Sequence, residues 1–189
     1  MANVFLDKTF TSIHFTTQEL KKGEYDNCTF IDCNFEQLHL SNFNFLECTF
    51  IECNLTNVKW GRTTLNTVRF EDCKLLGADF SVCNPFMLDI GFKDCVLDLA
   101  NFSALTISDT IFNTCSLQET DFTESGLHKA YFDNCNLDKA VFEQTYLEAA
   151  DFRTAYNYTI DPNQNRIKGA QFSKEGLGGL LVQHKIIIV

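Results

Sequence analysis

Large apolar side chains recur at every fifth position along most of this chain. Each fifth residue from Phe5 to Phe80 is Phe, Leu, Tyr or Trp, and each fifth residue from Phe92 to Phe152 is Phe, Leu or Ile. A period of five fits neither the 3.6-residue period of an α-helix nor the two-residue period of a plain strand. It predicts a chain that makes a short straight run, turns a corner and repeats.

A second inward position lies two residues before each central apolar residue and is usually Ala or Cys. A large side chain beside a small one fills a narrow tube. Residue identity also repeats at twenty, as in the phenylalanine series Phe10, Phe30, Phe50 and Phe70. We therefore predict an all-β solenoid with four sides per coil, whose identical side chains stack at the strand spacing of about 4.8 Å. The stretch from Phe5 to Phe152 then makes about seven coils, a rod of roughly 35 Å.

The segment "ADFSVCNPFMLDIGF", residues 78–92, shifts this rhythm by two residues. Both inward columns continue when two is subtracted from every later position, so a domain boundary is not indicated. Because Pro85 cannot donate to a ladder, we predict a two-residue insertion near 81–91 that bulges outward. Cys83 is the cysteine least certain to be buried, and the bulge is a candidate contact point where the acidic part of the chain begins.

Composition narrows the function classes. A chain of 189 residues with 45% apolar content predicts one domain with a sizeable core. The net charge of −10 disfavours direct binding to nucleic acid or to an anionic membrane. Residues 1–10 lack a leader pattern, and no apolar run approaches the roughly 20 residues that span a bilayer. We therefore expect a cytoplasmic protein with free thiols and no membrane association.

Catalysis, metals and cofactors are not indicated. The four histidines are scattered, and no catalytic or phosphate-binding motif occurs. The pairs Cys28/Cys33 and Cys48/Cys53 have four residues between their members, but their members lie on adjacent sides of a coil, so all nine cysteines are interpreted as core fillers. A disulfide between stacked coils stays an alternative, although the coil spacing exceeds the preferred Cβ separation of about 3.8 Å.

Negative charge is concentrated in one region. Residues 89–151 contain twelve acids and three bases. The twenty-residue period also places four acids in one outward column. The acids that we select as candidate partner-binding residues are Asp32, Glu52, Asp72 and Asp94 in that column, with Asp98, Asp109, Glu119 and Asp138 from the acidic region. Two interpretations stay open: a binding surface that imitates DNA, or acids that suit the corners and keep a rod soluble.

The C-terminal region departs from the repeat. We place the solenoid at 1–172, with a loop at 153–166, and a separate module at 173–189. Ser173 is a candidate N-cap of a short helix, and a terminal apolar strand follows. This module is either a cap or a subunit interface, because an open solenoid end must be covered. The candidate dimer-interface residues are Leu177, Leu180, Leu181, Ile186, Ile187, Ile188 and Val189.

The repeats "CNFEQ", "CNLTN", "ADFSV", "ANFSA", "TDFTE", "CNLDK" and "ADFRT" resemble the pentapeptide-repeat family, whose consensus is A-(D/N)-(L/F)-x-x. The resemblance implies a right-handed quadrilateral β-helix. The ending "NYTIDPNQNRIKGAQFS" resembles the subgroup that contains the Qnr quinolone-resistance proteins and immunity proteins against microcin- and albicidin-type poisons.

That subgroup implies a non-enzymatic homodimer, joined through the C-terminal module, that mimics DNA on DNA gyrase or topoisomerase IV and protects it from a quinolone or toxin. Unlike many Qnr members, this chain carries only two extra residues rather than sizeable loops. The alternative function is a protein-interaction scaffold with an unrelated partner.

Overall fold

The computed structural model describes residues 3–187 and is a parallel β-solenoid of about eight turns. Its thirteen strands are short, because each side of a coil holds one five-residue repeat. They are β1 Asn3–Leu6, β2 Thr9–Thr11, β3 Gly23–Asp26, β4 Thr29–Ile31, β5 Asn44–Leu46, β6 Thr49–Ile51, β7 Thr64–Asn66, β8 Val68–Glu71, β9 Ile90–Lys93, β10 Ile111–Asn113, β11 Tyr131–Asp133, β12 Asp151–Phe152 and β13 Gln171–Phe172.

Four parallel ladders run the length of the rod and define four faces. Face 1 contains β1, β3, β5 and β7, and it continues after the insertion as single bridges from Thr106 to Arg166. Face 2 is a sheet of the other nine strands. Face 3 is a ladder of single bridges from His14 to Tyr156, and face 4 is a similar ladder from His39 to Val141. The predicted four-sided coil is confirmed.

The core is a set of stacked side chains, as the twenty-residue period predicts. On face 2 the phenylalanine rings stack from Phe10 to Phe172, with centroids 4.7–5.3 Å apart. Rings on opposite faces meet edge to face; Phe112 of face 2 and Phe122 of face 4, for example, lie 6.0 Å apart at 82°. Such packing adds to the gain from area burial alone.

Most corners place one residue in the left-handed region of backbone conformation. This residue lies two after the central apolar one, and it occurs at every fifth position from Asn27 to Gly77 and again from Asp94 to Ala149. Asn, Asp and Gly tolerate this region best. The sequence also places Glu, Leu, Ala and Lys there, so the corner position is only partly specified by backbone preference.

The two inserted residues form a bulge within one coil. Val68 pairs with Ile90 and Lys74 with Val96, both 22 residues apart, while the described ladder pairs that do not span the insertion are 20 apart. Pro85 is exposed, and Leu88 packs against the core. Cys83, the cysteine whose burial was least certain, is 6% exposed.

All nine cysteines are free and buried in the structure. Most of their thiols donate to a main-chain carbonyl of the preceding coil; Cys53 Sγ, for example, lies 3.4 Å from the carbonyl oxygen of Phe30. Burial raises the pKa of Cys48 to about 12. The nine buried thiols are therefore apolar fillers of the core, and burial keeps the Cys48 thiol protonated at neutral pH.

The C-terminal module lies against the last coil of the rod, through Leu180 and the contact with Tyr158. Its helical part is two 3₁₀ turns, at Glu175–Leu180 and Val182–His184, because the segment is too short and too rich in glycine for an α-helix. Ser173 Oγ accepts a hydrogen bond from the Gly176 N–H at 3.0 Å, but the N-cap of the first 3₁₀ turn is Lys174, one residue after the predicted one. Ile186 and Ile187 are not in a strand, and Ile188 and Val189 lie outside the described residues.

Both ends of the segment 153–166, for which we predict a loop, carry rungs of the solenoid ladders. Tyr156 still bridges Asn136, and Arg166 bridges Tyr146, so the ladder is interrupted only between these two rungs. Asn165 takes the small inward position, where its Nδ2 donates to the Phe142 carbonyl at 2.8 Å. A polar residue is tolerated there because its hydrogen bonds are satisfied.

Candidate protein-binding surface

Six carboxylates cover two adjacent faces in the C-terminal half of the rod. Within residues 95–144, all of which the structure describes, faces 3 and 4 contain six acids and a single base, Lys139. We call these six acids the acidic surface. Its members are Asp98, Glu119, Asp121, Glu124, Asp138 and Glu143.

The structure brings together three of the eight acids selected from the sequence. Asp98 and Asp138 lie in one column of face 3, and Glu119 lies at the corner between faces 3 and 4. Asp109 lies at the corner between faces 1 and 2, diagonally opposite Glu119. It therefore cannot share a flat binding surface with them.

The structure contains the predicted column of four acids, but this column lies outside the acidic surface. The pairings of Ile31, Ile51, Glu71 and Lys93 place the next residue of each strand in one line at the corner between faces 2 and 3. That line is Asp32, Glu52, Asp72 and Asp94, all exposed and all with φ between 50° and 54°. It occupies the N-terminal half and reaches the acidic surface only at Asp94.

Sequence reasoning missed the acids of face 4. Asp121 lies on the face 4 ladder, and Glu124 and Glu143 follow its rungs. The signal was present, because the twenty-residue period assigns every residue to a face. Assigning the acids to faces, rather than counting them along the chain, would have found all three.

Some of these acids also support the backbone. Asp121 Oδ1 accepts a hydrogen bond from the Thr123 N–H at 2.8 Å, and Asn101 makes the same contact with Ser103 at 2.9 Å. Because Asn serves equally well, the turn explains the Asn-or-Asp pattern but not the choice of a charged residue. Asp98 is held more tightly, by Ser116 Oγ at 2.6 Å and the Gln118 N–H at 3.0 Å.

Few cations neutralise the acidic surface. Lys139 Nζ lies 3.7 Å from Glu119 Oε1, and both side chains are well exposed. Arg69 pairs with Asp89 at 3.0 Å and Arg153 with Asp151 at 2.7 Å, just outside the region. The hydrogen bonds from Arg153 lower the pKa of Asp151, so this carboxylate stays ionised and paired.

The same two faces carry the opposite charge in the N-terminal half. Between residues 13 and 82 faces 3 and 4 hold five bases and three acids. The bases are Lys21, Lys22, Lys59, Arg62 and Lys74. The sign therefore changes along one side of the rod, so a basic partner would favour the C-terminal half.

The candidate interface residues of the C-terminal module fall into two groups. Leu180 packs against the core, and Leu181 is half-buried, so these two residues help to dock the module on the rod. Leu177, Ile186 and Ile187 are exposed by 47%, 55% and 89%. Val182 lies between them in the chain and is 53% exposed, although it is not one of the predicted interface residues.

The module docks through Tyr158. The ring of Tyr158 lies against Gly176 and Gly179, where a Cβ atom would collide with its hydroxyl and with its main-chain oxygen, respectively. Burial raises the pKa of Tyr158, and its hydroxyl has no hydrogen-bond partner among the described residues. Gly176 and Gly179, two of the three glycines of "GLGG", are thus required by close packing.

Within residues 3–187, no group of three or more His, Cys, Asp or Glu residues is arranged to hold a metal ion. None of the helical segments described there is long and apolar enough to cross a membrane.

Comparison with known proteins gives the family. The pentapeptide repeat region matches residues 23–102 and 86–172, which together span most of the chain. No curated protein matches. Among solved structures, a trypsin-treated variant of QnrB1, a plasmid-mediated fluoroquinolone resistance protein, is 16% identical with a TM-score of 0.60, and the match covers 99% of this chain and 92% of the QnrB1 chain.

HetL from the cyanobacterium Nostoc sp. strain PCC 7120, a pentapeptide repeat protein involved in heterocyst differentiation regulation, is 15% identical with a TM-score of 0.64. The match covers 90% of this chain and 86% of HetL. At such low identity these two likenesses show the fold alone. The repeat pattern, the four-faced solenoid and the match over residues 23–172 agree: the chain belongs to the pentapeptide-repeat family.

Proposed function

We propose that this protein binds a type II topoisomerase, DNA gyrase or topoisomerase IV, as a non-enzymatic mimic of DNA, and thereby modulates or protects it. The observation that carries the proposal is the charge density of the rod. Residues 90–150 contain ten acids and three bases, a net charge of −7. They make about three coils, so one net negative charge falls on about every 2 Å of the axis, against about 1.7 Å in duplex DNA.

The distribution of this charge supports the same proposal. The acidic surface joins two adjacent faces of the rod over three successive coils, so its carboxylates can face one basic groove. Coulomb repulsion between such carboxylates destabilises the free protein, and a basic partner relieves it. A purely solubilising role would not require six acids beside one base on two faces.

A homodimer is part of the proposal. The exposed Leu177, Val182, Ile186 and Ile187 form the apolar part of the C-terminal module. Burying them against a second copy would cover this apolar surface and extend the rod. The two acidic halves would then lie nearest the centre of the dimer, and the basic patches of faces 3 and 4 nearest its ends.

The test uses purified protein and purified gyrase. We expect saturable binding at micromolar protein or below, together with inhibition of supercoiling or rescue of supercoiling in the presence of a fluoroquinolone. The double substitution Glu124→Gln and Glu143→Gln should weaken binding about three- to tenfold, since two charges of the acidic surface are lost.

The matched control is Glu24→Gln with Glu47→Gln, which removes two charges from face 1 near the other end. If the two double substitutions weaken gyrase binding equally, the effect comes from net charge in general and not from the acidic surface. The absence of any effect of the wild-type protein on gyrase or topoisomerase IV would contradict the proposal and favour a scaffold with another partner.

A further inference from the structure

One phenylalanine does not belong to the core. Of the 19 phenylalanines, 18 are buried or half-buried, whereas Phe86 is 72% exposed. The next residue, Met87, is 59% exposed. We call these two residues the apolar knob. Exposing such a pair is unfavourable in water, and a polar residue could be accommodated at either position.

The knob is held in place by hydrogen bonds. Asn84 Oδ1 accepts from the Phe86 N–H at 3.1 Å, and Asn84 itself donates to the Thr63 carbonyl at 2.9 Å and to Thr64 Oγ1 at 3.1 Å. On the other side, Asp89 donates its N–H to the Leu65 carbonyl at 3.0 Å. The bulge is therefore anchored on both sides to the preceding coil.

Met87 adds a second constraint. Its φ is 57°, in the left-handed region that a residue with a side chain adopts at a cost of about 1 kcal/mol. A turn with Gly or Asn at this position would be easier to form. The chain therefore keeps two large apolar side chains at a place where neither packing nor backbone preference requires them.

The knob lies on face 1, about two coils towards the N-terminus from Glu124, the member of the acidic surface at the corner between faces 4 and 1. The insertion belongs to face 1 and follows the corner residue Val82. The column at this corner runs from Val82 through Ala104 to Glu124, as the pairing of Asp79, Asn101 and Asp121 requires. A partner that covers the acidic surface thus reaches the knob by extending about two coils towards the N-terminus.

We infer that Phe86 and Met87 form an apolar anchor that inserts into a hydrophobic pocket at the border of the partner's basic groove. This inference rests on the proposed function and adds to it a contact that charge cannot supply. A rigid exposed aromatic residue next to charged contacts is typical of a binding hot spot, because little ordering is needed when it becomes buried. The charges steer and orient the rod, and the knob fixes its position along the groove.

The experiment measures the affinity for gyrase over a range of salt concentrations. Phe86→Ser should weaken binding about ten- to a hundredfold, as expected for an aromatic anchor. The slope of affinity against salt should stay that of the wild type, because no charge is removed. Phe86→Leu, which keeps an apolar side chain, should recover part of the loss.

The control is Val4→Ser, which removes an apolar side chain of 55% exposure at the other end of the rod and should leave binding unchanged. Because Phe86 is exposed, its substitution should also leave the melting temperature unchanged, which excludes unfolding as the cause. If Phe86→Ser binds gyrase with wild-type affinity and wild-type salt dependence, the inference that Phe86 is an anchor is wrong, whereas the proposed function is unaffected. Failure of the wild-type protein to bind would overturn both.

Discussion

Val68 pairs in parallel with Ile90, 22 residues further along the chain, although the strands on both sides pair at a spacing of 20. The two extra residues are therefore absorbed within a single coil, and the stacks on faces 2, 3 and 4 pass the insertion without a break. What leaves the rod is a short turn that carries Phe86. The fold tolerates an insertion here because each coil contacts only its neighbours.

A buried and an exposed phenylalanine should differ sharply in their contribution to stability. Phe112→Ala removes a ring that stacks on Phe92 and Phe132, with centroids 5.3 and 4.9 Å away. We expect it to lower the free energy of unfolding by about 3–5 kcal/mol. Phe86→Ala should change it by less than about 0.5 kcal/mol. Chemical denaturation followed by circular dichroism measures both, and similar losses would contradict the assigned burial.

The corner conformation predicts a substitution that stabilises the rod. Ala104 is exposed and has a φ of 56°, where Cβ is unfavourable. Ala104→Gly should therefore raise the free energy of unfolding by about 1 kcal/mol, because relief of the strain outweighs the extra freedom of the unfolded chain. Ala100→Gly, at a buried inward position, should lower it. A destabilising Ala104→Gly would show that the corner carries no strain.

The cysteine thiols should be unreactive towards thiol reagents in the native protein. All nine are buried, and burial raises the pKa of Cys48 and of Cys83. A maleimide or disulfide reagent should modify none of them at neutral pH and all nine after denaturation. Mass spectrometry counts the modified thiols. Rapid labelling of any one of them in the folded state would contradict its place in the core.

The contact between Tyr158 and Gly176 predicts a compensating pair. Gly176→Ala places a methyl group on the Tyr158 hydroxyl and should loosen the C-terminal module. Tyr158→Phe removes a buried hydroxyl that lacks a partner among the described residues, so it should be neutral or stabilising by about 1 kcal/mol. The double variant should recover part of the loss.

Thermal melting of the four proteins gives the coupling between Tyr158 and Gly176. Strict additivity of the two changes would show that they do not interact.

Much of the fold was predictable, because the same short pattern of apolar and small residues recurs in every coil. The spacing of Phe30, Phe50 and Phe70 predicts the coil, and the longer step from Cys73 to Cys95 places the insertion. The 3₁₀ turns at 175–184 were less predictable, because their conformation depends on the close approach of Tyr158, which lies about twenty residues earlier.

The candidate surface was predicted less well for a geometrical reason. Acids were grouped by proximity along the chain, so Asp109 was joined with Glu119 although they lie at opposite corners. Glu124 and Glu143 were missed, because neighbours in adjacent coils lie about 20 residues apart in the sequence. Assigning residues to faces corrects both errors.

The central claim is that the rod occupies a site that otherwise holds DNA, and competition on gyrase tests it most directly. Labelled protein bound to gyrase would be titrated with a duplex oligonucleotide at constant salt. The account predicts that duplex DNA displaces the protein completely and that the Glu124→Gln/Glu143→Gln variant is displaced at lower DNA concentration. Simultaneous binding of the protein and DNA, with no loss of affinity for either, would contradict it.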